Sequence, residues 1–428
     1  MRNEGGFIAE RRPGERGLAH LVEHIVFLSP TTKSPEEFRH FVHVGLPLTY
    51  PAPSAGSTSW RETNYYLSTK TTSPADLDTL LGLFREASSD LTFRTDAVDA
   101  ARAEVVREMA DKKPGNAIYA AYIAAVAPGS PNDMIDGQNS DDVPIASVET
   151  IRGLYRRLYR PEAMMIVIVG DVDPADAARL VEKHFGDWKS ARPVSPKPPA
   201  HKIDRDRIRD VSFLARPQGR RTAIVTVAMP TPPPSTREGQ ARSEIMDMVV
   251  TRVIERRLAA AQPGSAPGKT GIFVDNGDQG FRQITLWDNF SGDQWKPAVA
   301  GLRKMTCTLA TAGFTDEEWT VARQEVIAGL ERRSQAMSEV PNVELAKDLS
   351  HALAENGDLL LPDELLREAK RILPGIDVRS GSDWWRRQWT GSQVHIRVEA
   401  PELAQLADPA RAIRETADSA VDRARCRA

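Results

Sequence analysis

The sequence predicts two tandem domains of one fold, each mixing strands with helices. Three internal matches, occurring in the same order in both halves, carry that prediction. Ala101-Arg102-Ala103-Glu104-Val105-Val106-Arg107-Glu108-Met109 aligns with Ala322-Arg323-Gln324-Glu325-Val326-Ile327-Ala328-Gly329-Leu330. Each run follows a phenylalanine, Phe93 or Phe314, and a Thr-Asp helix start. Leu154–Tyr159 answers Trp384–Trp389, and the apolar run from Ile166 to Pro174 answers Val394 to Pro401. One such match could be coincidence, but three in order signal a duplication.

The elements follow in order from periodicity and punctuation. Leu18, Leu21, Val22, Ile25 and Val26 give the run from Gly17 to Phe27 the apolar sides of a buried helix. Ser34-Pro35-Glu36-Glu37-Phe38 reads as a capped helix start, with His40 and His43 as ordinary histidines on it. Ala55 to Thr69 is rich in Thr and aromatics, which favours strand. A helix opens at Ser73-Pro74 and carries Leu77, Leu80, Leu81 and Phe84 at helical spacing. Another opens at Thr95-Asp96 and is expected to end near Lys112, where Pro114 stops it. Met164 to Val169 reads as a buried strand, turned by Gly170 to Pro174 into a helix ending near Phe185. The prolines between Pro193 and Pro199 exclude helix and central sheet, and mark a linker. Beyond them come apolar strands at Val211–Ala215 and Ala223–Met229, then a helix over Arg237–Leu258. The expected boundaries are a first domain over 1–190, a linker over 191–205 and a second domain over 206–428. No counterpart of the strands at 211–229 precedes His20, so the first domain reads as truncated at its N-terminus.

The chemistry concentrates in the first copy. His20-Leu21-Val22-Glu23-His24 is an H-x-x-E-H pattern. On a helix, residues four apart share a face, so both imidazoles can reach one ion, and Glu23 falls near enough to work on a water there. Zinc takes neutral imidazole nitrogens and, when catalytic, leaves one position open. The duplication selects a third ligand. Glu104 has the counterpart Glu325 and is assigned to the shared fold, whereas Glu108 is matched by Gly329. A carboxylate confined to the copy with the histidines makes His20, His24 and Glu108 the expected metal ligands, with Glu23 as catalytic base.

Composition narrows the function classes. The 428 residues are 41% hydrophobic and 27% charged, with a formal net charge of -3, which argues against a basic nucleic-acid-binding surface. No apolar run approaches the ~20 residues of a membrane span. Cys307 and Cys426 read as separate thiols rather than a disulfide or metal pair. No secretory h-region stands at the start, and cytoplasm and periplasm both remain open.

At this point the residues resemble the pitrilysin/insulinase family of zinc peptidases, which includes the mitochondrial processing peptidases. The match rests on Gly17-Leu18-Ala19-His20-Leu21-Val22-Glu23-His24, Arg102-x-x-Val105-x-x-Glu108 and Ser57-Thr58-x-x-Glu62-Thr63-x-Tyr65. Tyr159-Arg160-Pro161, Gly170-Asp171-Val172 and the duplicated layout extend it over nearly the whole chain. The resemblance implies an α+β fold, each domain a mostly antiparallel sheet backed by helices, the second domain being inactive. It implies one Zn2+ per chain on His20, His24 and Glu108, with Glu23 as general base. Peptide substrate would lie along a sheet edge built from Ser57, Thr58, Thr63 and Tyr65. The expected activity is that of a zinc metalloendopeptidase, and the alternative is a non-catalytic scaffold or partner subunit of the same fold. The expected partners are a peptide and a second half, whether homodimer, heterodimer or missing segment, with no nucleic acid and no membrane span. Two departures stand out: Ala55 or its neighbour replaces a substrate-binding asparagine, and Ala101 replaces a supporting glutamate.

Overall fold

The computed structural model describes residues 1–36, 48–49, 55–69, 73–130, 133, 140–190, 203–216, 219–230, 236–261, 268–276, 281–354, 359–389 and 392–421. His40, His43, Cys426, the proline-rich stretch at 193–199 and most of the helix start read at Ser34 lie outside them. The chain divides into two compact units. The first holds 1–120, 134–200 and 340–354, and the second 121–133, 201–339 and 355–428.

In the first unit, β1 (Arg2–Asn3), β3 (Gly56–Thr58), β4 (Thr63–Tyr65) and β6 (Met164–Met165) form an antiparallel sheet in the order β3-β4-β1-β6. A separate pair joins β2 (Leu48–Thr49) to β5 (Ser68–Thr69). The helices are α1 (Leu18–Leu28), α2 (Pro74–Ser89), α3 (Thr95–Val126, of which the part up to Ala120 belongs to this unit), α4 (Val148–Leu158) and α5 (Pro174–Phe185). α1 is the central one: Leu18, Leu21, Val22, Ile25 and Val26 are each fully buried, as their helical spacing predicts. They join Leu80, Phe84, Val98, Val105, Ile151 and Leu154 in one core. Ser73 caps α2 and Asp173 caps α5 through their side chains, with Pro at the first helical position in both.

Two expectations are corrected here. α3 does not end at Pro114 but continues to Val126. A proline inside a helix costs about 3 kcal/mol; Ile123, Ala125 and Val126, buried beyond it, offset that cost. The strand read over Met164–Val169 pairs only at Met164–Met165, and Ile166–Val169 runs half-buried without a ladder.

The second unit is built on a larger sheet in the order β7-β11-β8-β10-β9. Its strands are β7 (Val211–Leu214), β8 (Thr222–Pro230), β9 (Thr270–Asn276), β10 (Phe281–Asn289) and β11 (Val394–Glu399). All neighbours are antiparallel except β7 and β11, so the mostly antiparallel α+β architecture holds. α6 (Arg237–Ala261), α7 (Trp295–Thr311), α8 (Asp316–Gln335), α10 (Pro362–Ile372), α11 (Val378–Trp389) and α12 (Pro409–Ser419) complete it, while α9 (Asn342–Ala354) belongs to the first unit. Asp247 of α6 accepts two hydrogen bonds from the Arg282 guanidinium of β10, at 2.8 and 3.0 Å, and one from Trp384 Nε1 of α11 at 3.0 Å. This buried ion pair ties three elements together. Cys307 is disulfide-bonded, which corrects its reading as a thiol.

Candidate metal centre

α1 starts at Gly17, whose φ of +84° is a left-handed conformation and whose missing Cβ would meet Ser140 Cα at 2.8 Å. Glycine is therefore required there, but it offers the helix no capping side chain. Glu10 supplies the cap from outside, its carboxylate accepting from the Gly17 N–H at 2.9 Å and the Ala19 N–H at 2.8 Å. Burial pushes the Glu10 carboxyl up to about 8, against the pull of those two amides. This device was not legible in the sequence, because the cap stands seven residues upstream of the turn it closes.

The helix so anchored presents His20 and His24 on one side, with ring centroids 4.9 Å apart. α3 brings Glu108 to the same point. Glu108 Oε2 lies 3.7 Å from His20 Nε2 and 3.4 Å from His24 Nε2. One ligand atom from each of the three residues falls within 4.8 Å of the others. Zn–N and Zn–O bonds of ~2.0–2.1 Å at tetrahedral angles separate ligand atoms by about 3.4 Å. Two nitrogens and one carboxylate oxygen at these distances therefore fit a single zinc ion. Burial and the neighbouring His24 hold the His20 imidazole down to about 4, so it is neutral and able to ligate near pH 7. For Glu108, burial acts upward, but the hydrogen bond and charge of Lys112 help leave it below the usual carboxylate range.

Glu23, the fourth residue of the pattern, is buried beside this cluster. Thr58 Oγ1 donates to its Oε2 at 2.7 Å. Burial raises the Glu23 carboxyl to about 8, opposed by that hydrogen bond. Gly56 lies against its other oxygen, since a Cβ there would stand 2.5 Å from Glu23 Oε1. Glu104, assigned from sequence to the shared fold, instead faces the cluster: its Oε2 is 3.2 Å from His24 Nδ1. Ala101 is fully buried.

The four substrate-edge residues separate. Among the described residues β3 is an edge strand of the sheet, with Ser57 exposed on it and Thr58 turned inward to Glu23. Thr63 and Tyr65 belong to β4, an interior strand, and are 1% and 0% exposed. The expectation that they belong to the sheet edge along which substrate lies is corrected, because β4 is flanked by β3 and β1. Thr63 is turned inward to the Gly5 carbonyl and Tyr65 to the Tyr159 hydroxyl. The period-two alternation of a strand fixes which residues face out but cannot say which strand is the edge. A cavity of about 280 Å³ elsewhere in the unit, lined by Tyr65, Leu80, Phe84, Val167 and Val343 among others, includes none of the metal-cluster residues.

The family model for "Insulinase (Peptidase family M16)" matches residues 8–125, and that for "Peptidase M16 inactive domain" matches 146–326. The chain belongs to the insulinase (M16) family. The first M16 match contains the whole cluster; the second contains none of it. The probable zinc protease PqqL of Escherichia coli is 22% identical over 402 residues, covering 88% of this chain and 41% of PqqL. The zinc protease PqqE of Helicobacter pylori is 27% identical over 180 residues, 41% of this chain and 39% of that protein. This M16 chain thus spans about two fifths of the length of these relatives. The crystal structure of the first half of the periplasmic protease PqqL from Escherichia coli superposes with a TM-score of 0.79 at 19% identity, covering 98% of this chain and 92% of that one. That likeness is one of fold. Among the described residues no helix is long and apolar enough to cross a membrane.

Proposed function

We propose that this chain is the zinc-bearing half of an M16 metalloendopeptidase that cleaves peptides or small unfolded polypeptides. The observation that carries the reading is the convergence of His20, His24 and Glu108 at ligand-ligand spacing, beside a buried carboxylate on the same helix. One zinc per chain would be held by those three residues, and when bound it lowers the pKa of a water and polarises a peptide carbonyl. In its ionised form, reached as pH rises through its raised pKa of about 8, Glu23 takes the proton from the attacking water and hands it to the leaving amine. Thr58 holds Glu23 in place, and the low pKa of His20 keeps that imidazole unprotonated. The β3 edge, with Ser57 outward, offers main-chain hydrogen bonds to an extended peptide, so selectivity for side chains is loose. A second half, or a second chain, completes the enzyme; PqqL, of which this chain covers 41%, supports that partner. A disulfide at Cys307 and the periplasmic relative support an oxidising compartment.

The test is zinc content by elemental analysis together with cleavage of a quenched peptide, with and without chelator. Glu23→Gln is expected to keep zinc and lose turnover, and Glu108→Gln to lose zinc. Stoichiometric zinc without chelator-sensitive cleavage, with the partner half supplied, would favour the non-catalytic alternative.

A further inference from the structure

Glu104 and Glu108 stand four residues apart on α3 and present both carboxylates to α1. His24 lies between them, its Nδ1 3.2 Å from Glu104 Oε2 and its Nε2 3.4 Å from Glu108 Oε2. An ionised carboxylate accepts hydrogen bonds and cannot donate one, and a neutral imidazole carries a single proton. With Nδ1–H donated to Glu104, the lone pair remains on Nε2, the atom aimed at Glu108 and the cluster. The duplicated position in the second unit shows what this carboxylate does where no histidines are present. Glu325 on α8 pairs with Arg256 at 2.6 Å and Arg252 at 3.5 Å on α6. In both units, then, a glutamate of one helix engages a basic side chain of its neighbour; in the first unit that side chain is a ligand.

We infer that Glu104 is a positioning residue of the metal centre, fixing the tautomer and ring orientation of His24 so that Nε2 is the ligating atom. The inference rests on the zinc reading above and extends it to a residue that the duplication argument set aside. A carboxylate behind a ligating histidine raises its basicity, and losing it typically weakens metal affinity 10- to 100-fold. Glu104 has a side chain 34% exposed, so its truncation leaves no buried cavity.

The experiment measures zinc affinity of the purified chain by competition with a chelating dye, for wild type, Glu104→Ala, Glu104→Gln and the control Glu325→Ala. Glu104→Ala should bind zinc about 10- to 100-fold more weakly. Glu104→Gln, which keeps an accepting oxygen, should recover part of the loss, and Glu325→Ala should match wild type. In the metal-free protein, 15N NMR of labelled histidines should find His24 as the Nδ1–H tautomer, changing to a mixture in Glu104→Ala, while melting temperatures of the metal-free forms stay together. Wild type binding zinc with Glu104→Ala equally tight, or His24 carrying its proton on Nε2, overturns this inference alone. A wild-type chain that takes up no zinc overturns the metal reading and this inference with it.

Discussion

Replacing Thr58 by valine tests whether the edge strand governs the proposed catalytic base. Valine keeps the branched shape of threonine and removes only the hydroxyl that donates to Glu23 Oε2 at 2.7 Å. Glu23 is 7% exposed, so water cannot readily replace the missing donor. Above about pH 8, where Glu23 is ionised, a hydrogen bond to the charged carboxylate contributes about 1.5–3 kcal/mol. If it serves to hold the carboxylate for proton transfer, its loss lowers kcat by about 10- to 150-fold. The proposed metal ligands are untouched, so zinc content should remain that of wild type, and KM should change little because the proposed substrate contact of Thr58 is through its main chain. The assay is steady-state hydrolysis of a quenched peptide beside elemental analysis of the same preparation. A kcat within threefold of wild type at full zinc occupancy would refute the reasoning, because Glu23 would then be positioned by something other than this hydroxyl.

Other outcomes follow from the second unit. Asp247→Ala leaves the Arg282 guanidinium buried without its carboxylate and should destabilise the protein by about 3–5 kcal/mol in urea unfolding. Asp247→Ala combined with Arg282→Met should recover most of that, and a single-substitution cost below about 1 kcal/mol would sink the account. His395 is fully buried, with Nδ1 donating to the Arg209 carbonyl and Nε2 facing Ser212 Oγ at 2.9 Å. Burial lowers its pKa from 6.5 to about 4. Between those values the unfolded chain binds the proton and the folded one does not. The stability is therefore complete above pH 6.5 and lost as pH falls toward 4, by about 3 kcal/mol. His395→Asn should flatten that stretch of the stability-pH curve; an unchanged slope would show that other groups cause it.

Much of this was legible in the residues, and the exceptions share a cause. The spacing of Leu18, Leu21, Val22, Ile25 and Val26 fixed α1 and its buried face, and the contrast of Glu108 with Gly329 picked out the carboxylate that joins the two histidines. Both signals are local, or are repeated within the chain. Glu104 was misjudged because a duplicated position keeps its geometry while its partner changes, from arginine in one unit to His24 in the other. Thr63 and Tyr65 were placed on an edge because alternation reports face and not strand order. Pro114 was read as a stop because its cost is local, whereas the burial of Ile123 and Val126 that offsets it is not.

Gly56 has a consequence for how such a protein can change over time. Its absent side chain is the room that the Glu23 carboxylate occupies, while Ser57 beside it points to solvent. On the proposed mechanism, enlarging Gly56 displaces the carboxylate that accepts the proton, so new substrate preferences cannot be acquired at that residue without slowing the reaction. Diversification along this edge is channelled outward to Ser57, and the inward pleat is held to one composition by the chemistry beneath it.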